Sequence, residues 1–600
     1  MAKPKKFNLV NYTARDFNSL RQELVDYAKR YYPETVRDFS SNSFTSLMVD
    51  TVAYTGDMLS FYLDYQLNES FLATAAEYNN VKRLAEQLGY KTKGSPAAVG
   101  TVALYVVVPA SLTGLGPTSE YIPILKKNSV LGTNAGGSFI LTEDVDFSHT
   151  KNEIVVARIN SQNGLPASYA IKAYGSVVAG AFNRTVTNVG GFVKFRRVRV
   201  GSAQINEIIS VFDSEGNEYY EVDYLSQDII YKSEINVDPT TKEQTPNLMI
   251  PISVPRRFVV DRTEDSTYII FGQGTEENFT TVSSLEPKYV SLNRFGRNYV
   301  TDPVFDPVNL IENDSMGICP VNTELTIIYR ENSFSGNTIG SNQIVTFLSP
   351  TIDFKDPNLV SSTIKNQILA SLECNNEEPI DSYIRTPTIE DIRIEAKNYY
   401  AAQGRAVTAQ DYESFCYRMP PEYGGIFRAR AVRDPDSLKR NINIYVLSKN
   451  YNNNLSTCNS KTKQNLKIWL NSARMLNDTI DILNGRIVNF GIEFEVIVQD
   501  PYEKTSVLNE CLNKLRKRFF EPYHLGQPLN VFDIYGVLNT VQGVSDVVTA
   551  KFVNKTGTSY SSDTLNFARY TTPDGRRVIP PENVAFELKF GSNDIIGRVR

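Results

Sequence analysis

Asp50, Asp57 and Asp64 recur at every seventh residue, the first just before and the others within a stretch, VAYTGDMLSFYLDYQLNE at 52–69, that is otherwise loaded with Met, Phe, Leu and Tyr. On a helix rising about 1.5 Å per residue they stand about 10 Å apart, beyond the ~5–5.5 Å of a retaining glycosidase pair and the longer side of the inverting range. They cannot share one ion or one glycosidic bond, and they read as a salt-bridged or solvated rim beside an apolar seam. Glu221 and Asp223 (EVD) are alternate residues that a strand would aim the same way, the pair to test for glycan hydrolysis, although such pairs more often flank solvent. The two histidines, His149 in DFSHTKN and His524 in EPYHLGQP, lack a second imidazole or a neighbouring cysteine, so a His-based metal triad is excluded by count. Cys319, Cys374, Cys416, Cys458 and Cys511 stand about 40 residues or more apart, with no CxxC pair, and read as reduced, cytoplasmic thiols. FGQGTEEN (271–278) starts like a phosphate-cradling loop but lacks its third glycine and continues into acids, which suits a turn between strands. No phosphate loop, nucleophile elbow or HExxH helix occurs. The expectation is a chain that is not an enzyme and takes no cofactor.

Composition agrees. The 600 residues are 41% hydrophobic and 22% charged with a net charge of −5, an ordinary globular balance with no global field for nucleic acid or acidic lipid. Arg196, Arg197 and Arg199 read as one charged strand face and KPKK (3–6) as a short tail. MAKPKKFNLVNY lacks an apolar signal core, and the longest apolar run, Val102 to Ala110, is far below the ~18 residues of a bilayer span. Neither nucleic acid nor membrane is expected as a partner.

The elements that must position these residues divide the chain into four. Residues 1–95 read as helices: Thr13 and Asp16 at capping-box spacing before Phe17, Leu20, Leu24, Ala28 and Tyr31, then a long helix over about 43–68, then a third with Val81, Leu84, Ala85 and Leu88 stopping at Gly89. Residues 96–345 are β-rich, with strands expected at 101–108, 152–159, 192–200, 267–272 and 324–330, the last aiming Leu325, Ile327 and Tyr329 inward and Thr326, Ile328 and Arg330 outward. Residues 346–478 and 479–600 read as α+β modules. In the first, Thr386-Pro387 opens a helix carrying Ile389, Ile392, Ala396 and Tyr399. A helix–turn–strand unit recurs, capped at Thr408–Asp411 and again at Asn530–Asp533, beside strands 441–447 and 490–498. The fold class expected is multidomain α+β: an N-terminal helical bundle, a β-rich middle and C-terminal α+β modules. The aromatic face of the long helix is broader than a coiled-coil seam. Ninety residues of helix offer too little surface to cover Tyr54, Met58, Phe61, Tyr62, Tyr65, Phe71 and Leu72, so part of that face is expected to dock on another chain.

YTARDFNSLRQELVDYAKRYYPE, AYTGDMLSFYLDYQLNESFLATA and NVKRLAEQLGYK closely resemble the baseplate wedge proteins of contractile-tailed phages, specifically the T-even-type wedge subunit of the baseplate J-like family. FGQG (271–274), PVNTELTIIYR (320–330), NNEEPI (375–380), QGRAVTAQDYE (403–413), ILNGRIVNFGIEFEV (482–496) and PENVAFELKFGSNDIIGRVR (581–600) follow in the family's order, the β region being less distinctive. The resemblance implies a non-enzymatic subunit of the virion tail baseplate, assembled in the host cytoplasm. Two copies would pair and join a second wedge protein through a bundle of N-terminal helices, and C-terminal regions would close an inner ring that rearranges on sheath contraction. It implies as partners a second copy, other wedge proteins and a sheath-initiating or hub-proximal subunit. Phe532, Tyr535, Phe586, Asp594 and Ile595 would be the ring contacts. The bundle is expected to be apolar and the ring contacts more polar and breakable. The alternatives are a β-rich tail component that binds or degrades host-surface glycan, and the equivalent subunit of a phage-derived contractile injection system.

Overall fold

The computed structural model describes residues 16–600 apart from 35–37, 41–42, 112–115, 135, 162–163, 236–244, 246, 276–315, 332–337, 358–359, 382–386, 437–440, 451 and 453. Thr13, Thr386 and the acids Glu276 and Glu277 lie outside the described residues. An N-terminal helical region precedes a β-rich body of several sheets with helices, a multidomain α+β fold. Two compact units result, residues 1–92 with 388–401 and residues 93–387 with 402–600.

In the helical unit, α1 (Phe17–Tyr31) starts on Asp16, whose carboxylate accepts from the Ser19 backbone N–H at 3.2 Å, and ends on Lys29 and Arg30, where cations suit the helix dipole. Asp16 is thus the cap itself. Ser43 caps α2 (Phe44–Glu69) through Ser46 at 3.1 Å, and α3 (Tyr78–Gln87) leads into Gly89 at φ +86, a left-handed position that spares glycine strain. The unit's core is Ala75, Val81, Ala85 and Tyr90 closed by Ile392 and Ala396. The helix Ile389–Ala402, expected in the 346–478 module, therefore packs its inner face on α3. Arg393 fixes it there, donating to the carbonyls of Leu72 and Ala75, each at 2.7 Å.

The second unit carries two seven-stranded sheets. One centres on the long antiparallel pair Val99–Pro109 and Pro166–Ala179, over a core containing Leu104, Phe139 and Phe147; Glu153–Ile159 joins the outer side of Pro166–Ala179. The other pairs Thr323–Glu331 between Ala181–Val189 and Ile205–Phe212. Leu325, Ile327 and Tyr329 face its core as expected, but Arg330 is buried too, paired with Glu207 at 3.0 Å. The strand expected over 192–200 begins at Arg197, because Phe195 turns the chain at φ +52.

The unit also carries two four-stranded sheets, with one three-stranded and two two-stranded sheets besides among the described residues. In each four-stranded sheet, a helix precedes a strand that runs antiparallel to a long central strand: Ala409–Tyr417 before Arg428–Arg433 against Asn441–Lys449, and Val531–Asn539 before Val544–Asn554 against Arg486–Val498. Thr408 and Asp411 form a reciprocal capping box on the first helix, whereas Asn530 makes no side-chain cap on the second. Phe490 anchors the last core, edge-on to Phe519, Tyr523, Phe552 and Phe586.

Candidate assembly surface

α2 distributes its side chains the wrong way round for a solitary helix. Every one of its exposed residues is uncharged, among them Phe44, Leu47, Val52, Tyr54, Leu59, Phe61, Tyr62, Leu63 and Leu67, while Asp50, Asp57 and Asp64 are half-buried and Glu69 is buried. Phe61 is 62% exposed and Leu63 71%. The acids lie on the side that meets α1: Arg21 of α1 donates to Asp50 and, at 3.1 Å, to the buried Ser46 hydroxyl. Ala53 is buried, and at Gly56 an added Cβ would stand 3.1 Å from Leu20 of α1. The small residues let α1 approach on one side; the exposed remainder is uncharged and mostly apolar, with Thr51, Thr55, Gln66 and Asn68 among the apolar side chains. At 3.6 residues per turn the bare arc covers about half the helix, wider than one neighbouring helix conceals.

Of the residues expected on this surface, Tyr54, Phe61, Tyr62 and Phe71 are exposed. Met58 and Tyr65 are half-buried, the Tyr65 hydroxyl donating to Glu77 at 3.0 Å and its ring stacking on Phe61. Periodicity marks the face but not Leu63 and Leu67, which are exposed on it as well; the signal for them is that α2 carries no Lys or Arg. The C-terminal set needs correction. Phe532 is exposed, with the Arg576 guanidinium 5.2 Å above its ring, and Tyr535 is half-buried against the core. Phe586 and Ile595 are buried in the chain's own core on strands that run parallel to Arg486–Val498; the strand of Phe586 is buried throughout, whereas that of Ile595 buries Ile595 and turns Ile596 and Arg598 outward. Asp594 is buried as an acceptor, taking hydrogen bonds from the Tyr560 hydroxyl at 2.5 Å and the Phe590 N–H at 2.9 Å.

The chemistry-bearing residues do not converge. Glu221 ends the strand Glu218–Glu221, Asp223 follows it, and neither lines the polar cavity of about 470 Å³ or its neighbour of about 450 Å³. The larger cavity holds three carboxylates, each already engaged. Glu143 accepts from Ser176 at 2.6 Å, Glu378 from the Ser460 hydroxyl at 2.6 Å, and Glu377 from Lys172 at 2.7 Å, which holds the Glu377 carboxyl below its ordinary range. A general acid needs the opposite shift. His149 takes the Lys151 N–H on its Nδ1 at 3.2 Å, a local turn contact. Among the described residues no group of three or more His, Cys, Asp or Glu could hold a metal ion, and no helix is long and apolar enough to cross a membrane.

Fold and surface together define a multidomain α+β protein with a large uncharged helical face left uncovered. Residues 16–87, the segment that carries this face, match the family model for the N-terminal domain of bacteriophage baseplate protein. No curated protein matches the chain. Among solved structures, it aligns with a chain of the anti-feeding prophage baseplate, six-fold symmetrised, at 10% identity over 97% of this chain and 100% of that one, with a TM-score of 0.27. A chain of the TssK-TssF-TssG baseplate subcomplex of a type VI secretion system aligns at 9% identity over 73% and 96%, with a TM-score of 0.22. Scores this low define no common fold.

Proposed function

We propose that this protein is a structural subunit of a contractile-tail baseplate, a wedge component whose α1–α2 hairpin is completed in a helical bundle by a second copy and by another wedge protein. One observation carries the reading: the segment that matches the baseplate family presents a 26-residue helix whose exposed side chains are all uncharged. Tyr54, Met58, Phe61, Tyr62, Tyr65 and Phe71 are its contact residues. At roughly 25 cal/mol per Å² of apolar surface, such a helix gains more from a protein neighbour than from water. Its work is mechanical, in the inner ring around the tail hub, where Phe532 is the residue of the C-terminal set free to touch a neighbour. The ring holds the baseplate at rest and rearranges when the sheath contracts.

Native mass spectrometry of the full chain, alone and co-expressed with the neighbouring tail proteins, tests this. The wild type should give dimer-containing complexes. Phe61→Ser with Leu63→Ser should abolish the α2-joined dimers while the chain stays folded, since exposed substitutions change the stability of the protomer by only about 0.5 kcal/mol. A doubly substituted chain that assembles like wild type would overturn the reading.

A further inference from the structure

The strands Ile229–Ile235 and Asn247–Ser253 form a two-stranded ribbon that pairs with no other strand among the described residues. Ile229, Tyr231, Leu248 and Met249 are exposed on it, and a lone ribbon of this kind is marginal in water. Its root, by contrast, is firm. Val254 is buried and its N–H donates to the Asp228 carbonyl at 2.8 Å; the buried Arg257 guanidinium donates to the carbonyls of Leu225 at 2.6 Å and Val254 at 3.0 Å. Gly317, at φ +93, leaves room for Arg257, whose Cγ a Cβ there would approach to 2.8 Å. The ribbon is an anchored projection.

Elsewhere in the same unit, Glu153–Ile159 is an edge strand that, among the described residues, pairs with Pro166–Ala179 alone and is exposed at all seven positions. A bare apolar edge without proline is a template for strand addition. We propose that the ribbon of one copy adds antiparallel to this edge strand of a second copy. Charge selects the register. With Lys232 opposite Glu153, Tyr231 falls opposite Ile154, Ile230 opposite Val155 and Ile229 opposite Val156, an ion pair followed by three apolar pairs. Sliding two residues one way sets Lys232 against Lys151, and sliding five the other way sets it against Arg158; like charges opposed are unfavourable. Glu153 to Val156 is also the half of the edge strand with unbroken register on its own sheet, the bulges lying beyond it. The polar connection NVDPTTKEQTP (236–246) argues against lipid as the occupant. The contact is heterologous, ribbon on one copy and edge on the next, so it propagates into a ring or filament instead of closing a two-fold pair. It rests on the assembly-subunit reading for the identity of the partner but uses no residue of α2.

The test mixes two full-length variants, Tyr231→Cys and Ile154→Cys, under mild oxidation; the native cysteines are buried. A disulfide between the two chains is expected, because directly opposed strand residues meet its geometry. Tyr231→Cys mixed with Val155→Cys, one residue out of register, should give at least tenfold less. Glu153→Lys introduced into the Ile154→Cys chain should lower the matched yield by a similar factor, and Lys232→Glu in the Tyr231→Cys chain should restore it. Absence of the matched cross-link, equal yields at both pairs, or failure of the charge swap to rescue would overturn the ribbon pairing. If complexes sensitive to the Phe61 and Leu63 substitutions persist in that case, the assembly reading stands and only this contact falls.

Discussion

Glu69, buried at the end of α2, accepts from the Ala76 N–H at 2.7 Å, the Glu77 N–H at 3.4 Å and the Asn80 amide at 2.9 Å, and so ties α2 to α3. Those hydrogen bonds, the Asn80 amide first, hold its carboxyl below the usual glutamate value. Because the folded state has the lower value, the tie is complete above the unfolded-state pKa and is lost as pH falls through the folded one. Thermal melts between about pH 6 and pH 3 should therefore show an acid loss that Glu69→Gln diminishes, the variant being the less stable protein at neutral pH. The thiols behave oppositely, burial pushing Cys374 and Cys458 up to about 12, Cys511 to about 11, and Cys319 and Cys416 upward as well. A thiol held protonated and away from solvent is a poor nucleophile. A colourimetric thiol reagent should find less than one reactive cysteine per native chain and all five after denaturation.

At the scale of elements, the two helix–strand units of the C-terminal half offer a paired test. Thr408→Ala removes a reciprocal capping box and should cost about 1 kcal/mol in chemical denaturation. Asn530→Ala should change stability by under about 0.5 kcal/mol, because that side chain caps nothing. Both positions look alike in sequence, and the difference shows where legibility ended. Helix spans such as 44–69 and 389–402 could be read because periodicity and caps are local to the chain. The burial of Phe586, Asp594 and Ile595 could not, since it depends on a parallel partner strand a hundred residues away. Arg330 failed for the same reason, its outer face being closed by Glu207. The α2 surface was half legible: the aromatics announced a face, but only the folded helix shows the acids turned toward α1 and the apolar side outward. The ribbon gave no signal, because what distinguishes it is that neither strand pairs with a third among the described residues.

For the molecule as a whole, the two proposed contacts draw on different physics. The ribbon contact includes an exposed ion pair, whose attraction salt screens over about 8–10 Å. The α2 contact contains no formal charge on the exposed side at all. Burial of such mostly apolar surface carries a negative heat-capacity change and weakens on cooling. Complexes joined through α2 should consequently survive molar sodium chloride yet loosen near the freezing point, which sedimentation at two temperatures and two ionic strengths would reveal. Low temperature, more than dilution or salt, becomes the gentle way to take such complexes apart.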